Sequence, residues 1–124
     1  MTSDSHRATF RSSATVLCVN AIQPMLNYFE ERLGFRIEGT AGELPSWASL
    51  QRDGVEIMLA CGHYPQPASD WAIYTYVDDV DALYAEYQDR GADIVSEPVD
   101  KGHGSREFEV RLPDGRLMAF GSAI

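Results

Sequence analysis

The chain repeats one pattern of predicted secondary structure, and this repeat constrains the fold more than any other feature. Residues 16–62 and residues 71–121 each contain a strand, a helix that ends at a glycine, and three further strands. The helix-ending glycines, Gly34 and Gly91, are 57 residues apart, and the hairpin signals Asp53-Gly54 and Asp114-Gly115 are 61 residues apart. Since one such unit cannot bury its own apolar face, the sequence predicts an α+β fold of two modules whose sheets form a cup.

Hydrophobic periodicity places one helix in each module. Apolar residues recur at helical spacing from Met25 to Leu33 and from Val80 to Tyr87, which predicts helices over residues 23–33 and 80–90. Gly34 and Gly91 then cap the C-terminal ends. The eight predicted strands span residues 15–19, 35–38, 47–51, 55–60, 71–77, 94–97, 106–112 and 117–120.

Length and composition predict one domain with few special segments. A chain of 124 residues is long enough for a single core, and we expect a flexible N-terminal arm at residues 1–13 and one domain over residues 14–124. The modules lie at about 14–62 and 71–124. No apolar run is long enough to span a membrane, and residues 1–13 lack the apolar stretch of a secretory signal. Cys18 and Cys61 stand in apolar strand contexts, which favours buried free thiols in a cytoplasmic protein.

The charge excludes one class of partner. The formal net charge of −9 argues against nucleic acid, because a phosphate backbone needs a basic surface. A more specific interpretation is an acidic pocket for a cationic ligand. The positions of the carboxylates decide whether the chain has such a pocket.

Strand alternation divides the predicted sheets into a face under the helices and a face in the cup. On residues 55–60, Ile57 and Leu59 share the apolar face, and Glu56 and Met58 share the other. A slip of one residue would bury carboxylates under a helix at a cost of several kcal/mol, so the pattern favours one register. The side chains predicted to line the cup are Trp47, Ser49, Gln51, Glu56, Met58, Tyr74, Tyr76, Glu107, Glu109 and Arg111.

Several ordered motifs carry a family resemblance over about residues 14–123. They are Val19-Asn20 before the first helix, Phe29-x-x-x-Leu33-Gly34-Phe35, residues 76–83 (YVDDVDAL), Gly91, and Arg106-Glu107-Phe108-x-Val110-x-x-Pro113-Asp114-Gly115. The set resembles the vicinal oxygen chelate superfamily, which includes glyoxalase I, extradiol dioxygenases, fosfomycin-resistance enzymes and bleomycin-resistance proteins. The last motif is most similar to the bleomycin-resistance branch.

The resemblance implies a particular fold and assembly. The fold is two βαβββ modules that form a cupped mixed sheet, the glyoxalase/bleomycin resistance/dihydroxybiphenyl dioxygenase fold. Members are commonly homodimers whose ligand sites use sheets from both subunits. The turn around His103 borders the mouth of the cup in the family, so His103 joins the predicted ligand-binding residues.

The resemblance also implies where a metal ion would bind. Enzymes of the superfamily hold a divalent ion with one side chain from each of four cup strands, and these positions correspond to Ala14, Met58, Ala72 and Ala119. Alanine has no donor atom, and a methionine thioether is a soft ligand. We therefore expect no metal site and no metal cofactor.

Together these features predict a metal-free binding protein of the bleomycin-resistance type. Trp47, Tyr74 and Tyr76 offer flat rings, and the nearby carboxylates favour an aromatic, cationic ligand, with each cation–π contact worth about 0.5–2 kcal/mol. We expect a cytoplasmic homodimer that sequesters a small molecule in antibiotic resistance, with neither a membrane nor a nucleic-acid partner and no assigned catalytic residue.

Alternative interpretations of the cup stay open at this point. The protein could be a lyase or isomerase similar to glyoxalases or dioxygenases, with a metal ion displaced onto Glu56, Glu107 and Glu109, or with a Glu or His general base. It could also be a regulatory subunit whose own side chains fill the cup. Arg111 could instead anchor a carboxylate ligand.

Overall fold

The protein folds into two βαβββ modules, seen in a computed structural model that describes residues 7–42, 45–65 and 70–124. The first module contains β1, α1, a π-helical segment, β2, β3 and β4, and the second contains β5, α2, β6, β7 and β8. Their bounds are β1 Thr15–Val19, α1 Ile22–Asn27, π-helical segment Tyr28–Arg32, β2 Arg36–Ala41, β3 Trp47–Arg52, β4 Val55–Cys61, β5 Trp71–Tyr76, α2 Val80–Arg90, β6 Ile94–Asp100, β7 Ser105–Arg111 and β8 Leu117–Ala123.

Each module forms one four-stranded mixed sheet with the same topology. The strand orders are β1-β4-β3-β2 and β5-β8-β7-β6, and in each sheet the first and last strands of the module pair in parallel. The helix of each module carries the chain across the sheet from its first strand to its second, at the opposite edge, and the last strand then returns to pair with the first. The predicted α+β duplication is therefore confirmed.

The core lies on the helix side of both sheets, as the alternation predicts. Ile57 and Leu59 of β4 are fully buried, whereas Glu56 and Met58 are only half-buried on the opposite side. One cluster of buried apolar residues runs through both modules. On β4 the faces predicted from the alternation are therefore the faces observed.

The predicted helix over residues 23–33 is divided in two. An α-helix over Ile22–Asn27 is followed by a π-helical turn over Tyr28–Arg32, in which the Leu33 N–H donates to the Tyr28 carbonyl at 3.1 Å. Gly34 ends it at φ 76°, where a Cβ would lie 2.6 Å from Nη1 of Arg52. The second helix matches its prediction, because the Asp79 side chain accepts the Ala82 N–H at its start and Gly91 ends it at φ 73°.

Three strands run three residues further than predicted. β2 reaches Ala41, β6 reaches Asp100 and β8 reaches Ala123. Bulges in β2 and β6 let pairing continue through segments without regular alternation. Of the predicted N-terminal arm, residues 1–6 lie outside the described residues, and residues 7–14 have no regular secondary structure.

The prediction for the cysteines was wrong in one respect. Both are unpaired, but Cys18 is exposed and Cys61 is half-buried. Alternation explains the difference, because Cys18 lies on β1 between the buried residues Leu17 and Val19 and so points away from the core.

The modules join through their helices and hairpin turns. Arg52, from the β3–β4 hairpin, donates to both carboxylate oxygens of Glu86 at 2.8 Å and to the Leu33 carbonyl at 2.9 Å. Arg116, which follows the β7–β8 turn of the second module, donates to the Cys18 carbonyl at 3.0 Å. These contacts lie on the helix side of the sheets or at the ends of strands.

Within the described segments, no helix is long and apolar enough to cross a bilayer.

Candidate functional site

We call the side of each sheet that lies away from the helices its open face. Every strand residue predicted to line the cup lies on one of the two open faces, and His103 lies in the turn between β6 and β7. The open face of the first sheet carries Val16, Cys18, Trp47, Ser49, Gln51, Glu56 and Met58. The open face of the second carries Trp71, Tyr74, Tyr76, Ser105, Glu107, Glu109, Arg111, Ala119 and Gly121.

Three aromatic rings form a continuous strip on the second open face. The ring centroids of Trp71 and Tyr74 are 5.4 Å apart, and those of Tyr74 and Tyr76 are 5.1 Å apart. Trp71 is 49% exposed and Tyr76 is 84% exposed. We call Trp71, Tyr74 and Tyr76 the aromatic strip. It offers flat, accessible surface to a planar ligand.

Sequence reasoning missed Trp71 because β5 contains a bulge. Strict alternation puts Trp71 on the same side as Ile73, which is buried in the core. The register shifts between Trp71 and Ile73, so Trp71 turns to the open face beside Tyr74. Trp47, which was predicted to act with the tyrosines, lies instead on the other sheet, paired with Ala60.

A buried carboxylate lies next to the aromatic strip. Glu107 is 4% exposed, and its Oε2 accepts hydrogen bonds from the Tyr74 hydroxyl at 2.5 Å and the Ser105 hydroxyl at 2.8 Å. His103 Nε2 is 3.6 Å from the same oxygen, and its Nδ1 is 3.1 Å from the Ser105 hydroxyl. The structure thus brings Tyr74, His103 and Glu107 together, and it adds Ser105, which was not among the predicted site residues.

Gly121 makes the Tyr74–Glu107 hydrogen bond possible. Tyr74 is on β5 and Glu107 is on β7, so the tyrosine must reach across β8, which lies between them. A Cβ on Gly121 would lie 2.8 Å from Cζ of Tyr74 and 3.3 Å from Cγ of Glu107. Because Gly121 has no side chain, it leaves space for the side chains of Tyr74 and Glu107 to contact each other.

The hydrogen bonds keep Glu107 charged despite its burial. Burial alone acts to raise the pKa of the carboxyl, but the hydrogen bonds from Tyr74 and Ser105, with smaller contributions from the charges of His103 and Lys101, hold the pKa below its usual range. Conversely, burial and the Glu107 carboxylate raise the pKa of the Tyr74 hydroxyl. At neutral pH the aromatic strip therefore lies beside a fixed negative charge.

The other predicted polar residues have separate partners. The Trp71 indole N–H donates to Glu109, and Arg111 donates to the Gly115 carbonyl at 3.3 Å. Glu56 accepts a hydrogen bond from Ser49 at 3.3 Å on the first sheet. The three carboxylates that a displaced metal ion would need are thus divided between two sheets.

The positions that hold a metal ion in related enzymes do not fit one here. Met58 and Ala119 lie on the open faces, Ala72 lies at the β5 bulge, and Ala14 precedes β1. Three of them offer no donor atom, and the fourth offers a thioether. Within residues 7–42, 45–65 and 70–124, no group of three His, Cys, Asp or Glu side chains is placed to hold a metal ion.

A cleft of about 570 Å³ lies between the modules on the helix side. Phe35, Tyr87 and Phe120 contribute to its apolar lining. Thr75 also lines it, and its Oγ1 is buried without a hydrogen-bond partner among the described residues. By register, the equivalent position in the first module is Leu17, which is buried in the core. The cleft therefore marks a difference between the two modules, and among the predicted site residues Tyr76 also lines it.

Comparison with known proteins supports the fold in both sequence and structure. The model of the glyoxalase/bleomycin resistance protein/dioxygenase superfamily matches residues 11–120. No curated protein matches the chain in sequence.

Three solved structures illustrate the structural likeness. A bleomycin-binding protein from bleomycin-producing Streptomyces verticillus, complexed with copper(II)-bleomycin, is 19% identical with a TM-score of 0.77, covering 95% of this chain and 100% of that one. TnmS3, an antibiotic-binding protein from Streptomyces sp. CB03234, is 19% identical with a TM-score of 0.71, covering 94% and 100%. A glyoxalase-related enzyme from Clostridium phytofermentans is 19% identical with a TM-score of 0.78, covering 94% and 98%. At these identities the likeness concerns the fold alone.

Proposed function

Because this chain belongs to the glyoxalase/bleomycin resistance protein/dioxygenase superfamily, which contains both binding proteins and enzymes, we propose that it binds and sequesters an aromatic small molecule without a metal ion. The ligand stacks on the aromatic strip, and no bond in it is made or broken. A role in antibiotic resistance, by sequestration of a drug, is the corresponding biological function.

The observation that carries this proposal is the exposure of the aromatic strip. Trp71 and Tyr76 present flat rings to solvent next to Tyr74, whose ring is held in place by its hydrogen bond to Glu107. Stacked or edge-to-face aromatic pairs contribute about 0.5–1.5 kcal/mol beyond their buried area. A ligand that covers two rings therefore gains from both burial and stacking.

The lack of metal-binding atoms at the expected metal positions distinguishes this proposal from metal-dependent catalysis. A divalent ion needs oxygen, nitrogen or thiolate ligands, and Ala14, Ala72 and Ala119 have none. Shape, stacking and charge are the means of recognition that the open faces retain.

A homodimer is part of the proposal. Both open faces are exposed in a single chain, with Tyr76 84% and Val16 55% accessible. An exposed apolar surface of this kind is typical of an interface or ligand site. We place the first open face of one chain over the second open face of its partner, so that the ligand binds between them. Sedimentation at micromolar concentration should give a dimer, and a strict monomer would contradict this part.

A cytoplasmic location is also proposed. Cys18 and Cys61 are unpaired thiols, which is the usual state of cysteines in a reducing compartment.

Tryptophan fluorescence tests the binding proposal directly, because Trp47 and Trp71 are the two tryptophans of the chain. Bleomycin-like glycopeptides and planar aromatic amines should change the emission with saturation. Trp71→Phe should lose most of the response, whereas Trp47→Phe, on the open face that the partner chain would present to the ligand, should lose the smaller part. No saturable response across the panel would refute the proposed function.

The Glu107 cluster favours a second candidate, a proton-transfer enzyme without a metal ion. Ser105 bridges His103 and Glu107, an arrangement that could orient an imidazole as a general base. The lowered pKa of Glu107 makes that carboxylate a weaker base, so we rank catalysis second. Recovery of each bound compound unchanged, by mass spectrometry after prolonged incubation, would support binding alone, and a converted product would reverse the ranking.

A further inference from the structure

We infer that the ligand carries a protonated amine, and that one N–H of this amine donates to Oε1 of Glu107 while the aromatic part stacks on the aromatic strip. The inference rests on the proposed function, because it names the chemistry of a ligand for the same open face.

The two oxygens of Glu107 have different surroundings. Oε2 accepts from Tyr74 and Ser105 and also faces His103 at 3.6 Å. No hydrogen bond among the described residues reaches Oε1. Among the described residues, Oγ1 of Thr75 is the one fully buried side-chain oxygen or nitrogen without a hydrogen-bond partner. Because Oε1 also has no partner there, it is not fully buried and keeps contact with solvent. Glu107 thus has one oxygen occupied and one available.

In the part of the chain that the structure describes, no Arg or Lys forms an ion pair with Glu107. Within the described ranges, each Arg–carboxylate ion pair uses another acid, and the one basic group within 4.0 Å of Glu107 is the largely exposed His103 imidazole. A buried carboxylate is costly unless it is paired. Its two closest donors, the Tyr74 and Ser105 hydroxyls, are neutral, so a cation at Oε1 supplies what the protein does not.

An N–H donor fits this oxygen better than a charge alone. Hydrogen bonds in which both groups are ionised are shorter and about twice as strong as neutral ones. A quaternary ammonium has the charge but no N–H, so it can attract the carboxylate and the rings without a hydrogen bond. Glu107 therefore distinguishes an amine from its fully methylated analogue.

The alternative that Arg111 anchors a carboxylate ligand is less favoured. Its guanidinium already donates to Gly115, and an anion on this face would meet the charges of Glu107 and Glu109. Like charges at close range are destabilising.

The test uses three naphthalene probes of one shape on the full-length protein. They are naphthalen-1-ylmethylamine, its N,N,N-trimethyl quaternary analogue and naphthalen-1-ylmethanol, and titration calorimetry at pH 7 gives each affinity. The proteins are the wild type, Glu107→Gln, and Glu30→Gln, which removes one charge from an exposed position in the π-helical segment. Glu107→Asp keeps the charge but withdraws the carboxylate by one methylene.

Wild type and Glu30→Gln should bind the primary amine about tenfold or more tightly than the alcohol, because the alcohol can donate an O–H to the carboxylate but brings no positive charge to it. Glu107→Gln should abolish the preference. If Glu107→Gln does not fold, Glu107→Asp should reduce the advantage of the primary amine over the quaternary probe.

Three results would overturn the inference, and they differ in whether they also reject the proposed function. Equal binding of amine and alcohol by the wild type, or a preference unchanged in the Glu107 variants, rejects the amine while leaving aromatic binding intact. Failure of all three probes to bind rejects both the inference and the proposed function.

Discussion

Gly121→Ala should disrupt the Tyr74–Glu107 hydrogen bond although neither of the bonded residues is substituted. The added Cβ would lie 2.8 Å from Cζ of Tyr74, a separation that forces the ring to move. Losing a hydrogen bond to a charged group costs about 1.5–3 kcal/mol, and crowding in a packed region costs about 1–3 kcal/mol. The two costs overlap, because movement of Tyr74 relieves the clash as it breaks the bond, so we expect a loss of about 2 kcal/mol.

A double-mutant cycle separates this explanation from a general intolerance of alanine. Urea unfolding at pH 7 should give a cost of about 2 kcal/mol for Gly121→Ala in the wild type and less than about 0.5 kcal/mol in a Tyr74→Ala background. Gly39→Ala is the matched control, because Gly39 also lies in a strand and a Cβ there meets no atom within 4 Å. It should be neutral or slightly stabilising. An equal cost of Gly121→Ala in both backgrounds would refute the reasoning.

Three further changes test other parts of the structure. Thr75→Val should stabilise the protein by about 1 kcal/mol in urea unfolding, because it removes a buried hydroxyl that has no hydrogen-bond partner among the described residues; destabilisation would mean that the hydroxyl is bonded. Glu86→Gln should cost more stability at pH 7 than at pH 3. The hydrogen bond from Arg52 holds the pKa of Glu86 below its usual range, so the stability it contributes is present above the usual pKa of a glutamate and is lost as pH falls through the lowered pKa; an equal cost at both pH values would contradict this. Asp79→Ala should cost about 1 kcal/mol by removing a helix cap, against less than about 0.5 kcal/mol for Asp78→Ala, and equal effects would reject the capping role.

Local patterns were sufficient to predict the architecture. The duplication, both helices and the eight strands follow from hydrophobic period and glycine position, which act within one element. The same argument placed Glu56 and Glu107 away from the helices, because the opposite register would have buried both charges in the core.

The site was predicted less completely, because its details depend on irregularities and on contacts between distant strands. A bulge in β5 turns Trp71 to the open face, and nothing in the spacing of residues 71–77 indicates it. The role of Gly121 depends on a tyrosine from one neighbouring strand and a glutamate from the other. The ion pair of Arg52 with Glu86, residues that are 34 positions apart, joins the two modules, and no local pattern predicts that partnership.

The most direct test of metal-free binding on the second open face is a two-dimensional ¹H–¹⁵N NMR titration of EDTA-treated protein with naphthalen-1-ylmethylamine. Two indole N–H signals are expected, from Trp47 and Trp71. We predict a saturable shift of the Trp71 signal and of the backbone amides of Tyr74 and Gly121. Shifts confined to Phe35 and Leu83 in the cleft between the modules, or a requirement for added divalent ions, would contradict the account.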